Sequence, residues 1–133
     1  MNVKELRVGS LITSKTWKGI HKISAVIQNK SNFDVVVNGF THIFKDGYFC
    51  EIAPIPLNKE VLIKLGFAPL SDSDHGLRLS VNSVDELSWS FNEKILKYQT
   101  KGSGFTRDYN IKYVHQLQNL YFALTGKELE VKS

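Results

Sequence analysis

Three shortages frame this sequence of 133 residues. Cysteine occurs once, at Cys50, so no intramolecular disulfide can form, and with Phe49 and Ile52 nearby the thiol reads as a small buried residue rather than a nucleophile. Apolar runs are short. None approaches the roughly 18 residues of a membrane-spanning helix, and the opening Met1-Asn-Val-Lys-Glu-Leu-Arg lacks the apolar stretch of about 7 to 15 residues that marks a secretory signal. A cytoplasmic protein with no membrane partner is expected. Acid is the third shortage, and it is local: the first thirty residues carry Lys4, Arg7, Lys15, Lys18, Lys22 and Lys30 against Glu5 alone, more than the whole net charge of +4. A basic flank of this kind suits a polyanion or an acidic protein surface, and it also aids solubility.

Catalytic signatures are missing as well. Asp72, Asp74 and His75 share one polar loop, whereas a catalytic zinc or iron site needs ligands converging from rigid elements. Gly102-Ser-Gly104 precedes a strand pattern instead of opening a helix, so it is not a phosphate cradle. No GxSxG elbow occurs, and Asp85-Glu86 reads as part of a turn. His21, His42 and His115 fall on different elements; an enzyme would require one of them to meet an acid in space. No metal, no cofactor and no catalytic residue is expected.

What is present is pattern. From Val8 to Ile52 the period is two, with turn residues between, which means strands. Gly9 to Thr13 forms the first. In the second, His21, Ile23, Ala25 and Ile27 alternate with Lys22, Ser24, Val26 and Gln28. Phe33, Val35 and Val37 line a third that ends at Asn38-Gly39, a dipeptide suited to the positive φ angles of a tight hairpin. Phe40 to Lys45 and Tyr48 to Ala53 follow, separated by Asp46-Gly47. These strands predict a small five-stranded barrel-like antiparallel sheet over 1–56.

Pro54-Ile-Pro56 interrupts the ladder. A linking helix then spans 57–67, with Asn58 as N-cap, Glu60 in the first turn, Leu57 and Leu62 as a hydrophobic staple, and Gly66-Phe67 as a Schellman close; Val61, Leu62 and Leu65 face inward. The polar loop from Ala68 to Gly76 leads into antiparallel strands at Leu77–Val81, Leu87–Phe91, Ile95–Thr100 and Phe105–Tyr109. A C-terminal helix covers them, its stripe made of Tyr113, Val114, Leu117, Leu120, Tyr121 and Leu124, with Gln116, Gln118 and Asn119 on the other side and Gly126 as its stop. The fold class is α+β, in one compact body whose third segment runs 68–133.

The best binding candidate is the basic, aromatic loop and strand containing Lys15, Trp17, Lys18, His21 and Lys22, with Lys30 beyond. Lysines there can neutralise phosphates while an exposed indole stacks on a base; in the bland reading Trp17 closes the sheet and the lysines are solvated. Phe122 lies off the main helix stripe, so an exposed Tyr121 or Phe122 would mark a dimer or partner face. The oligomeric state is left open.

Three stretches, ELRVGSLI near the start, PIPLNKEVLIKLGF in the middle and IKYVHQLQNLYFALTGKELEV at the end, resemble a family of small proteins of phages and integrated elements of Gram-negative bacteria, whose members end in an HQLQNLYFALTG-type helix. The resemblance brings no catalytic residues. It implies a non-enzymatic binding protein, with inhibition of a host RNA-guided defence nuclease (an anti-CRISPR activity) as the concrete version. The partner would be a host protein or ribonucleoprotein, with guide RNA among the candidate contacts, in the cytoplasm of the bacterial host. The rival is a nucleic-acid-binding module acting through the basic N-terminal lobe.

Overall fold

The structure is a computed structural model that describes residues 5–14, 19–29, 32–37, 40–45, 52–69, 76–100 and 106–131. It is α+β, with two antiparallel sheets, one short helix and a longer C-terminal helix. The chain divides into two compact units: 1–56 with Tyr113–Asn119, and 57–112 with Leu120–Ser133.

In unit 1 the strands are β1 (Leu11–Ser14), β2 (His21–Asn29), β3 (Asn32–Val37), β4 (Phe40–Lys45) and β5 (Ile52–Ala53), in the spatial order β4-β3-β2-β1-β5. Every pairing is antiparallel, as expected. Among the described residues the sheet is open, with β4 and β5 at its ends, rather than closed into a barrel. The β3–β4 ladder ends on the pair Val37↔Phe40. The expected turns Asn38-Gly39 and Asp46-Gly47, most of the expected fifth strand, and Phe49 and Cys50 lie outside the described residues.

Simple alternation fails at one place in β2. Ile23 pairs with Val37 but Ala25 pairs with Val36, so Ser24 is an extra residue, a β-bulge, and its hydroxyl donates to the Val36 carbonyl at 3.0 Å. Because side chains alternate with a period of two, one inserted residue exchanges the faces beyond it. Ile23 is therefore fully buried while Ile27, expected on the same face, is 53% exposed. Leu11 and Ile12 are both buried, so β1 is covered on both faces. The core of this unit is completed by Leu6, Val35, Val37, Ile55, Val114 and Leu117.

Unit 2 starts with helix α1 (Lys59–Lys64), whose ends follow the sequence reading. The Asn58 side chain accepts from the Val61 N–H at 2.9 Å, a cap worth about 1 kcal/mol. Gly66, at φ 99°, donates to the Ile63 carbonyl and Phe67 donates to that of Leu62, both at 3.0 Å, which is the Schellman pair. Leu62, Leu65 and Phe67 are buried; Val61, expected inward with them, is half-buried.

Strands β6 (Ala68–Pro69), β7 (Gly76–Ser80), β8 (Asp85–Ser90), β9 (Leu96–Thr100) and β10 (Thr106–Tyr109) form a meander in the order β10-β9-β8-β7-β6. Leu77, Trp89 and Leu96 are matched across three strands, and all three are buried. Asp85 and Glu86, read from the sequence as turn residues, instead open strand β8 and pair with Thr100 and Gln99 of β9. Asn82 Oδ1 accepts from the Val84 and Asp85 N–H groups at 2.8 Å, and the Asp85 carboxylate accepts from Asn82 Nδ2 at 2.8 Å and Thr100 Oγ1 at 2.7 Å. Hydrogen bonds from Asn82, Thr100 and Tyr98 hold the Asp85 carboxyl below its ordinary value. It is a pin for the β7–β8 turn.

Helix α2 (Val114–Thr125) ends at Gly126, at φ 72°. The sequence reading places this whole helix over the second set of strands. Instead Tyr113–Asn119 belongs to unit 1 and only the remainder to unit 2. Among the described residues no helix is long and apolar enough to cross a membrane.

Candidate functional site

Of the residues singled out for binding, Lys15, Trp17, Lys18 and Lys30 lie outside the described residues. His21 and Lys22 are successive residues of β2, opposite Ile12 and Leu11 respectively. Neighbours in a strand point to opposite faces. Lys22 is exposed whereas His21 is half-buried, so the structure does not bring these two onto one surface. The other expected loop features, Asp72, Asp74, His75 and Gly102-Ser-Gly104, are outside the described residues, as is the side chain of His42.

A site that sequence reasoning missed is built by the polar residues of α2 with the segment 5–11. Gln118, expected away from the apolar stripe, is 1% exposed, and His115, not assigned to the stripe, is 0% exposed. Gln118 Oε1 accepts from the Leu11 N–H at 2.7 Å and its Nε2 donates to the Gly9 carbonyl at 2.9 Å. Asn119 Nδ2 donates to the Glu5 carbonyl at 2.8 Å. Asn119 Oδ1 accepts from Arg7 Nε at 2.7 Å, and Arg7 also donates to the Gln118 carbonyl at 3.2 Å. Each bond answers a main-chain or charged group that burial would otherwise penalise by about 1 to 3 kcal/mol. The face that looks solvated in a helical wheel is thus the docking face for the start of the chain.

The start of α2 shows why an acid sits opposite it. Gln116, three residues into the helix, reaches back to accept from the Tyr113 N–H at 3.2 Å, half of a capping box. The first turn holds no acidic residue of its own. Glu5 supplies one: its carboxylate meets His115 Nε2 at 3.2 Å and Gln116 Nε2 at 3.3 Å, and negative charge is favoured at a helix N-terminus. A carboxylate only accepts, so the proton of the neutral imidazole is assigned to Nε2. His115 Nδ1 then has no partner among the described residues. Burial lowers the His115 pKa, against the opposing pull of Glu5. For Glu5, burial raises the pKa, but the hydrogen bonds from His115 and Gln116 outweigh it and the net shift is downward.

This is the meeting of histidine and acid that an enzyme would need, and its geometry decides its role. A general base must reach the proton it abstracts. His115 has no exposed surface, so the pair locks the segment to the helix.

The second half of α2 departs from expectation in the other sense. Leu124, read as part of the buried stripe, is 36% exposed, and Phe122 is 45% exposed. Tyr121, Leu124 and Thr125 border a groove of about 250 Å³ together with Val81, Asn82 and Lys127. Thr125 Oγ1 bonds the Tyr121 carbonyl at 2.8 Å and accepts from the Lys127 N–H at 3.0 Å, which holds the groove's helical wall in shape up to Gly126.

Among the described residues no three histidine, cysteine, aspartate or glutamate side chains gather in a way that could hold a metal ion. No family model, curated protein or solved structure matches this chain.

Proposed function

We propose that this is a non-enzymatic binding protein of a phage or other mobile element, acting on a host protein or ribonucleoprotein through the exposed end of α2. The observation that carries this reading is the exposure of Phe122 and Leu124 near the end of a helix whose first half buries Val114 and Leu117 completely. Large apolar side chains held in solvent beside a groove suit a protein surface better than a phosphate backbone. Two further features support it: the imidazole of the His115–Glu5 pair is fully buried, which suits a structural task, and the sequence resembles small mobile-element proteins. The concrete version is inhibition of an RNA-guided defence nuclease of the host.

A direct test mixes the purified protein with such a nuclease loaded with its guide and follows target cleavage. Inhibition is expected, with loss of at least about tenfold in potency for Phe122→Ser with Leu124→Ser, since two central apolar contacts carry on the order of 1.4 kcal/mol or more. Undiminished cleavage across nucleases from the relevant hosts, together with no complex by size-exclusion chromatography, would sink the reading.

One observation favours the second reading, a nucleic-acid module in the N-terminal lobe: Lys22 is exposed on β2. Replacing Lys15, Lys18 and Lys22 with alanine should then abolish retention on an RNA or DNA column at low salt, because each lost phosphate contact reduces the salt-dependent part of binding. Equal retention of the triple variant removes that alternative.

A further inference from the structure

We infer that β10 is a docking edge of unit 2 for an extended segment of a partner protein, which adds antiparallel to it as a further strand and carries a basic residue followed by an acidic one. The sheet of this unit ends on β6 at one side and on β10 at the other. β6 is two residues long and contains Pro69, which has no N–H to give to a further strand. β10 is four residues long, holds no proline, and has Thr106, Arg107 and Asp108 all exposed.

The open main-chain groups follow from the ladder. Directly opposed residues of an antiparallel pair either exchange hydrogen bonds or exchange none, in alternation. The Ser90 N–H donates to the Ile95 carbonyl at 3.3 Å, one step beyond the pair Trp89↔Leu96, so Leu96 turns its N–H and carbonyl towards β10. On the β7 side the Val81 N–H donates to the Asp85 carbonyl at 2.9 Å, which fixes the same alternation. Leu96 opposes Tyr109 and Tyr98 opposes Arg107, so Tyr109 and Arg107 give their main-chain groups to β9. Those of Thr106 and Asp108 point outward, and among the described residues nothing bonds them.

The same alternation limits what can fill the edge. A second copy pairing antiparallel across a two-fold axis must set outward residues against outward residues, so the registers that overlap most of the strand are centred on Arg107 or on Asp108. Each puts like charges directly opposite, which is destabilising: Arg107 on Arg107 in the first, Asp108 on Asp108 in the second. The register that sets Arg107 against Asp108 is forbidden, because one turns its main chain inward and the other outward. The edge is thus guarded against its own kind.

A foreign strand is not so limited. Arg107 and Asp108 are adjacent, opposite in sign and on opposite faces of the sheet. Among the described residues neither makes an ion pair; Lys97, across from Asp108, pairs instead with Glu93 at 3.6 Å. The Arg107 guanidinium rests over the Tyr109 ring at 5.5 Å, which keeps the charge on the strand's own face. A segment reading base then acid lays its acid opposite Arg107 and its base opposite Asp108 when it runs antiparallel, the sense of every pairing in this sheet. Main-chain bonds to Thr106 and Asp108 then supply affinity, and the two charge pairs select the sequence.

None of the residues at the end of α2 takes part, so failure of either reading leaves the other intact. The full chain, labelled with nitrogen-15, is titrated with the peptide acetyl-Thr-Val-Lys-Glu-Val-Thr-amide and with its isomer carrying Glu-Lys at the centre. Saturable downfield movement of the Thr106 and Asp108 amides is expected with the first peptide, and about fivefold weaker binding of the isomer, the scale of two cross-strand charge pairs. The variant Arg107→Glu with Asp108→Lys should invert that preference. Thr106→Pro removes an outward N–H, which an edge strand tolerates, and should weaken the first peptide by about tenfold while the rest of its spectrum overlays the parent's. No saturable shift with either peptide, equal binding of the two, preference of the parent for the isomer, an unchanged order of preference in the double variant, or undiminished binding by Thr106→Pro would each overturn the proposal.

Discussion

In the first half of α2 the deepest side chains include an imidazole and a carboxamide, whereas in its second half a phenylalanine and a leucine stand in solvent. Both halves share one helix, and the more exposed second half, Leu-Tyr-Phe-Ala-Leu-Thr, is the more apolar of the two, so hydrophobicity alone does not sort them. What differs is the supply of partners. His115, through Nε2, and Gln118 and Asn119 find a carboxylate, an N–H and two carbonyls on the segment 5–11, and a polar group that is answered can be buried at less cost than one that is not. Phe122 and Leu124 keep substantial surface in water.

The comparison is most severely tested at Gln118. Gln118→Leu keeps the volume but leaves the Leu11 N–H and the Gly9 carbonyl unanswered, and should cost about 2 to 5 kcal/mol in urea unfolding. A loss below about 0.5 kcal/mol, within the ordinary scatter of surface substitutions, would mean that apolar packing of Val114 and Leu117 holds this half by itself.

Acid should weaken the same half. The folded His115 has a pKa below its ordinary 6.5, so as pH falls the unfolded chain takes up a proton that the folded one resists, and stability declines. Glu5 is also depressed, below 4.5, and its contribution is present above that value and lost as pH falls through the folded pKa. Both shifts have the same sign. A pH series of unfolding midpoints should therefore slope downward from about pH 6.5 towards acid, and His115→Gln should flatten the upper part of that slope; a variant curve parallel to the parent's would show that the imidazole is not the titrating group.

The smallest effect is expected in the second half. Phe122→Ser with Leu124→Ser should change stability by no more than about 0.5 kcal/mol per site, as for surface positions generally, while removing partner binding. A large fall in thermal midpoint would place these side chains in a core and end their role as a contact face.

Much of the fold was legible because its signals are local. Asn58, Gly66 and Phe67 specify the ends of α1 through capping chemistry that any helix obeys, and alternation in Leu77–Leu79 and Leu87–Trp89 marks two strands of the second sheet. Where a signal depends on a distant partner, the sequence is silent. Ser24 looks like an ordinary outward residue of β2 until its pairing with β3 is known. Likewise Gln118 looks solvated until Gly9 and Leu11 are placed beside it. One clue was available: ELRVGSLI and HQLQN both belong to the stretches that carry the family resemblance, and these are the two strings the hydrogen bonds join.

The amide of Gln118 can be considered as a peptide group set on a side chain. It gives one N–H and takes another, which is what a neighbouring strand would offer to Gly9 and Leu11. Unoccupied main-chain groups at the start of a strand are a template for pairing with a foreign chain. By filling that place from within, the helix acts as a stopper on the sheet, and its removal should be visible as self-association at concentrations where the parent chain stays dispersed.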